Sequence, residues 1–351
     1  MSPHDIRSRL GERFRLLAGG RRAQDRHRTL QAAVGWSYDL LDPDGQRVFR
    51  ALSAFAGSFD LTAAGAVAGG DDLDELAVAD HVTGLANRSL IVHDGDSGRY
   101  RLLETLRQYA ADRLVEAGEA ATVHDRFVGY FIDLARREGP RFGEVGDAAS
   151  VRERLLAELD NFRATADWLI EDGRLRQVVG LTRDLGLLLS QDAPVTARSW
   201  LEPAIEDEAD ATPQLRYDAR WLLAWMAIVT GDVDTAMAVV AEWRGLLAEH
   251  DGIVENAWSF TPEMIIASYL YDAEAFATLC PRMREVAAAQ GNAYANHMGN
   301  CYALLCMDAD DPAFAIAVDL VMVEQRRRAT PGGWRRPSPA RRARWRVAPT
   351  P

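Results

Sequence analysis

The chain has 351 residues, 48% of them hydrophobic, enough material for two or three domains with real cores. All 40 basic residues are arginine, which excludes a Walker A loop, a Schiff-base enzyme and kinase chemistry, since each needs a lysine amine. The formal net charge is −12, and because nine arginines and no acid follow Glu324, residues 1–325 carry −21, a field that repels phosphate backbones.

Residues 1–26 read as one short helix, with Ser2 as N-cap, Pro3 at its first position, Ile6, Leu10, Phe14 and Leu17 on one face, and Gly19-Gly20 as its stop. The N-terminal MSPHDIRSRL has no apolar h-region, and nothing approaches about 18 consecutive apolar residues. A cytoplasmic protein without a membrane partner is expected. A helix from Thr29 to Leu41 sets Leu30, Val34, Tyr38 and Leu41 in a stripe and stops at Asp42-Pro43. A second runs from Gln46 to Phe55 with Val48, Phe49, Leu52 and Phe55 inward, closed by Gly57 as C-cap. Helices over Leu61–Ala68 and Leu73–Ala86 follow, the last with Leu73, Leu76, Ala77 and Leu85 inward.

The period then changes to two. Ser89–His93 and Arg99–Leu102 flank Asp94-Gly95-Asp96-Ser97-Gly98, the chemistry of a short hairpin, and a helix from Leu103 to Ala117 closes the unit at Gly118. Helices followed by a hairpin is the order of a winged helix. From Glu119 on, helical stretches alternate with Gly, Pro and Asp breaks, as in a helical-pair solenoid. The clearest repeat spans Arg220 to Ala248, with Gly231 at the turn and Ala224 and Ala236 at the small positions of a tetratricopeptide unit; Ala303 and Ala315 echo it. After Gln325 the chain fills with Arg, Pro and Gly and reads as disordered, and a truncated or frame-shifted end is the expected origin of this tail.

RHRTLQAAVGWSYDLLDPDGQRVFRALSAFAGSFDLTAA, LANRSLIV, RYRLLETLRQYAADRL and ELDNFRATADWLI are similar, in order and spacing, to the region after the NTPase core of bacterial STAND regulators. These are NB-ARC-type ATPases joined to LuxR-type, antibiotic-regulatory or adenylate cyclase domains. The resemblance covers residues 1–325 and is most specific through residue 175. It implies that residues 1–26 are the remnant of an NTPase lid helix, 27–117 a winged helix and 118–325 a tetratricopeptide-like sensor, followed by a disordered tail over 326–351. It also implies that the winged helix packs against an NTPase domain in intact relatives, whose nucleotide-binding motifs lie upstream of the residues present here. Where related proteins carry Met-His-Asp this chain has Leu102-Leu103-Glu104, and leucine cannot donate the histidine's hydrogen bond to ADP. Glu104 then reads as a cap or brace for the following helix.

DNA binding is the competing reading of a winged helix. Residues 27–117 hold eight arginines against fourteen acids, and Asp71, Asp72, Asp74 and Glu75 lead the candidate recognition helix. Trp334 and Trp345 could offer stacking faces in the tail, but no amphipathic period organises its charges. Cys280, Cys301 and Cys306 are an odd number suited to a reducing compartment, and with His297 they lack the spacing of a closed zinc site. Trp36, Trp168, Trp200, Trp221, Trp225, Trp243 and Trp258 read first as helix-packing residues. No hydrolase constellation stands out.

The expectation is a mostly α chain, a winged-helix domain with a small β-hairpin followed by a tetratricopeptide-like α-solenoid, with no catalytic, cofactor or metal residues. Its function is a non-catalytic regulatory fragment whose helical repeats bind a protein, peptide or small effector, with Trp200, Trp221, Trp225, Trp258 and Tyr269 as candidate contacts and nucleic acid not expected as the main partner. The alternative is a DNA-binding transcription factor using the winged helix or the tail; an enzyme is a third reading with no residues behind it.

Overall fold

In a computed structural model of the chain, the described residues are 34–70, 73–143, 148–206, 211–270, 272–292, 295–299 and 301. The expected helix over 1–26, Ala303, Cys306, Ala315 and the arginine-rich segment 326–351 lie outside them. Two units result: one runs to Asp133 and takes in Ala157–Trp168, and the other comprises Leu134–Leu156 and the chain from Leu169.

In the first unit a helical stretch over 34–39 buries Val34 and Tyr38 and gives way at Leu40. The next helix, α1 (Pro43–Ala51), starts three residues earlier than the Gln46 expected. Asp42 caps it through a 2.7 Å bond from the Gly45 N–H, and Pro43 sits where no backbone donor is needed, so proline opens this helix as well as closing the one before. Val48, Phe49, Leu52 and Phe55 are buried as the pattern demands. Gly57 is not the cap: Leu52 is, and Gly57 instead donates its N–H to Asn161 Oδ1 at 3.0 Å, so close to Asp160 that a Cβ would stand 3.1 Å from that residue's Cβ.

Helices α2 (Leu61–Ala68) and α3 (Glu75–Asn87) form the helix-turn-helix, each started by an aspartate side chain, Asp60 and Asp74. Val78, Val82 and Leu85 carry α3 onto the core, whereas Leu76, expected inward, is 74% exposed. A helix beginning at Glu75 rather than Leu73 puts Leu76 in the first turn, outside the stripe that Val78, Val82 and Leu85 define. The hairpin is β1 (Val92–Asp94) and β2 (Arg99–Arg101), paired antiparallel with His93 opposite Tyr100. Its first strand starts later than Ser89, because Ser89 adopts φ 59° and the Leu90 N–H returns to Leu85 O at 3.0 Å, closing α3. Phe59 exchanges two 2.8 Å bonds with Tyr100 and so adds a third, one-residue strand. Helix, strand, two helices and a hairpin make this a winged helix.

Helix α4 (Glu104–Glu116) ends at Gly118, φ +70°, and α5 (Ala120–Glu138) follows. Arg50 clamps the start of α5 through two bonds to the Glu119 carboxylate, at 2.6 and 2.9 Å. Phe127 and Phe131 of α5 pack edge-on or tilted into an aromatic core with Phe55 and with Phe162 of α7 (Leu159–Glu171) at centroid distances of 4.5 to 6.2 Å. This apolar area holds residues 157–168 on the winged helix.

The second unit is helical throughout its described residues, a solenoid-like succession: α6 (Ala148–Ala157, its last residue grouping with the first unit), α8 (Leu175–Asp184), α9 (Gly186–Asp192), α10 (Pro194–Glu206), α11 (Pro213–Val229), α12 (Val233–Glu249), α13 (Phe260–Leu270) and α14 (Ala273–Ala289). The pair α11 and α12 lies where a repeat was expected, with Ala224 and Ala236 wholly buried and Gly231 making the turn at φ +83°. A Gly231→Ala chain is expected to unfold with a loss of about 1 kcal/mol, because an L side chain is strained at that φ; urea denaturation of both chains checks it. No helix among the described residues is long and apolar enough to cross a membrane.

Candidate interaction sites

On α3 the apolar side faces the core, and Leu76, Asp80, Thr83 and Asn87 line the opposite side one or two turns apart, all exposed. Asp74 and Glu75 extend this face at its N-terminus, and its first arginine is Arg88, at the C-cap; the half-buried His81 turns to Asp42 instead. A recognition helix that enters a major groove normally brings its N-terminal residues to base edges and cations to the flanking phosphates. Here that end presents carboxylates around an exposed leucine. The hairpin continues the theme: Asp94 and Asp96 occupy its tip, and Asp94 is held below the usual carboxylate range by the Ser97 hydroxyl and the Asp96 N–H. Of the two β2 arginines, Arg101 is exposed, while Arg99 turns inward and bonds Ser58 and Glu158. At the Leu102-Leu103-Glu104 position, Leu103 is half-exposed and Glu104 braces Arg107 through bonds of 2.8 and 3.0 Å.

In the second unit Trp200, Trp221 and Trp225 are buried, and Trp221, Trp225 and Trp258 form a stacked ladder with centroid spacings of 6.1 and 5.6 Å. Trp221 Nε1 donates to Asp218 Oδ1 at 3.1 Å, and burial raises the Asp218 carboxyl above its ordinary range, with this bond and nearby Arg183 pulling the other way. Tyr217 donates to Ser259 Oγ at 2.7 Å. Three of the candidate contacts thus sit in the interior of the second unit. Tyr269 is 68% exposed. Of the other tryptophans, Trp36 is exposed, contrary to its reading as a packing residue: in the stretch 34–39 Tyr38 faces inward instead. Trp168 packs on His124 and Phe127, and Trp243 is buried.

Helices α12, α13 and α14 form an open pocket of about 250 Å³, lined by Met237, Val240, Ala241, Ile266, Ala267, Leu270, Ala275 and Leu279, with the Arg244–Glu263 ion pair and Asp272 as its polar groups; Tyr269 does not line it. Met237 and Leu270 stand exposed there. That volume lies below the roughly 300–1,000 Å³ of small-molecule pockets, so it suits one or two apolar side chains better than a whole effector. Neither residue was singled out by sequence, because an apolar position on a helix says nothing of whether the next helix covers it. Among the described residues no group of three or more His, Cys, Asp or Glu side chains could hold a metal ion; Cys301 Sγ lies 3.5 Å from His297 Nε2, and Cys280 is buried against Met264.

Residues 41–115 match the family described as a winged helix-turn-helix domain. The chain is similar to a protein of Mycobacterium tuberculosis (strain H37Rv) provisionally named an HTH-type transcriptional regulator, with 40% identity over 216 residues, covering 59% of this chain and 24% of that protein. A Mycobacterium bovis protein of the same provisional type matches with the same values. An uncharacterized M. tuberculosis protein is 38% identical over 131 residues, 36% of this chain and 33% of its own length. The chain therefore spans about a quarter to a third of these relatives. No solved structure matches. The domain match and the regulators' names stand closer to the DNA-binding alternative than to an NTPase-regulator fragment, which none of them names.

Proposed function

We propose that this chain is a regulatory part of a transcriptional regulator in which the winged helix works by docking on protein and the helical repeats receive the signal. The observation that carries the protein-docking reading is the solvent face of α3, where Asp74, Glu75 and Asp80 accompany exposed Leu76 and no arginine precedes Arg88. Carboxylates so placed oppose phosphate contacts, which supply most non-specific and much specific DNA affinity. The resemblance to STAND regulators supplies the partner, an NTPase domain, and makes the helix pairs a tetratricopeptide-like sensor for a protein, peptide or small effector. The pocket between α12, α13 and α14 favours an apolar side chain of a protein or peptide. Catalysis and nucleotide binding have no residues assigned to them in this reading, and it goes with a cytoplasmic location.

The second reading is direct DNA binding by the winged helix, favoured by the family match over 41–115 and by the relatives' names. Gel shifts on the full chain, and on a chain with the nine tail arginines neutralised, separate the two. Under the first reading the neutralised chain binds duplex DNA no tighter than the roughly 10⁻⁴–10⁻⁶ M of non-specific contact. A salt-sensitive, sequence-selective shift at nanomolar concentration would put the second reading in its place.

A further inference from the structure

The motif ELDNFRATADWLI acquires a physical role in the first unit. Asn161 is wholly buried and touches three groups: its Nδ2 donates to Ser58 O at 2.8 Å and to Glu158 Oε2 at 2.7 Å, and its Oδ1 accepts the Gly57 N–H at 3.0 Å. Glu158 is 5% exposed, and its other oxygen accepts Arg99 Nη2 at 2.5 Å. Arg99, the first residue of β2, also donates through Nε to Ser58 Oγ and through Nη2 to Ser58 O, both at 2.8 Å. Three stretches meet here, the loop before the one-residue strand at Phe59, the hairpin, and the start of α7. In a dry site such a cluster is cooperative: with every member satisfied it is rigid, and loss of one leaves buried polar groups unpaired, so intermediate arrangements are disfavoured.

The same helix leads away from the cluster. From Leu169 on, α7 groups with the second unit, and Leu169 itself is wholly buried. We propose that Arg99, Glu158 and Asn161 form a latch by which α7 holds the hairpin down, so that a disturbance of α7 in the second unit releases the hairpin while α2 and α3 stay folded. Release also frees Arg99, which the closed latch withholds from solvent. The inference stands on these hydrogen bonds whether the winged helix serves a protein or DNA.

Amide hydrogen exchange on the full chain tests it, comparing Phe59 and Tyr100, which bridge strand and hairpin, with Val82 in the middle of α3. Asn161→Ala is expected to speed exchange at Phe59 and Tyr100 about tenfold or more and to leave Val82 within about twofold, the mark of a local opening. Leu169→Ala, which removes none of the latch's hydrogen-bonding groups, is expected to do the same to a smaller degree. If Asn161→Ala does not fold, Arg99→Gln, nearer the rim and still hydrogen-bonding, is read by the same criterion. Unchanged exchange at Phe59 and Tyr100 in Leu169→Ala, or equal acceleration at Val82 in either variant, overturns the latch.

Discussion

Trp221→Ala is expected to lower the unfolding free energy of the second unit by about 4 kcal/mol, read as a fall in its urea midpoint. Trp221 is 1% exposed, so its removal leaves a cavity in α11 beneath the ladder of Trp225 and Trp258. It also takes the indole N–H at 3.1 Å from the buried Asp218 carboxylate, leaving it to Gln214 and Arg183. Trp221→Phe keeps a six-membered ring and loses the indole donor with the smaller part of the apolar surface, so its loss should be nearer about 1–2 kcal/mol. A loss under about 1 kcal/mol for Trp221→Ala would mean that this residue does not organise the repeat, and Trp221 would return to the list of contacts available to a partner.

Arg99→Ala is expected to destabilise the first unit by about 3–5 kcal/mol at neutral pH, the cost of leaving Glu158 buried without its cation. This variant has a pH signature. Burial already raises the Glu158 carboxyl above the ordinary range, and Arg99 and Asn161 pull it back; without Arg99 it rises further. An acid whose folded-state pKa is raised keeps its proton in the native chain where the unfolded chain has lost it, so the stability it contributes is full below the unfolded pKa and is lost as pH rises through the folded one. The deficit of Arg99→Ala should therefore be largest at neutral pH and shrink as the medium is acidified into the ordinary carboxylate range. Thermal unfolding of both chains across that span checks it, and a deficit independent of pH would show that Glu158 is not the group left stranded.

Much of the fold was legible in residue order. The helix Leu61–Ala68 reads correctly to the residue, Gly118 and Gly231 mark turns, and the turn residues Asp94 to Gly98 locate the hairpin, whereas Asp42-Pro43 reads as a stop and Asp74 as interior, although Asp42 and Asp74 cap helix starts. These signals act within a few residues of themselves, through caps, φ preferences and periodicity. The acidic lead of α3 was legible as well, because charge needs no partner to be counted.

What the tertiary structure alone decided concerns burial and partnership. Leu76 and Val78 are both apolar residues of one helix, yet only the register of α3 on its core sends one to water and the other inward. Arg99 and Glu158 lie 59 residues apart, and nothing local to either tells that they meet, or that Asn161 joins them to Gly57. The tryptophans show the same limit: composition marks them as large apolar surfaces, but whether such a surface packs inside or faces a partner depends on which helix comes to lie over it. Sequence by itself determined the elements and their charges, since those follow from neighbouring residues; the assignment of interior, surface and latch waited on contacts between segments far apart in the chain.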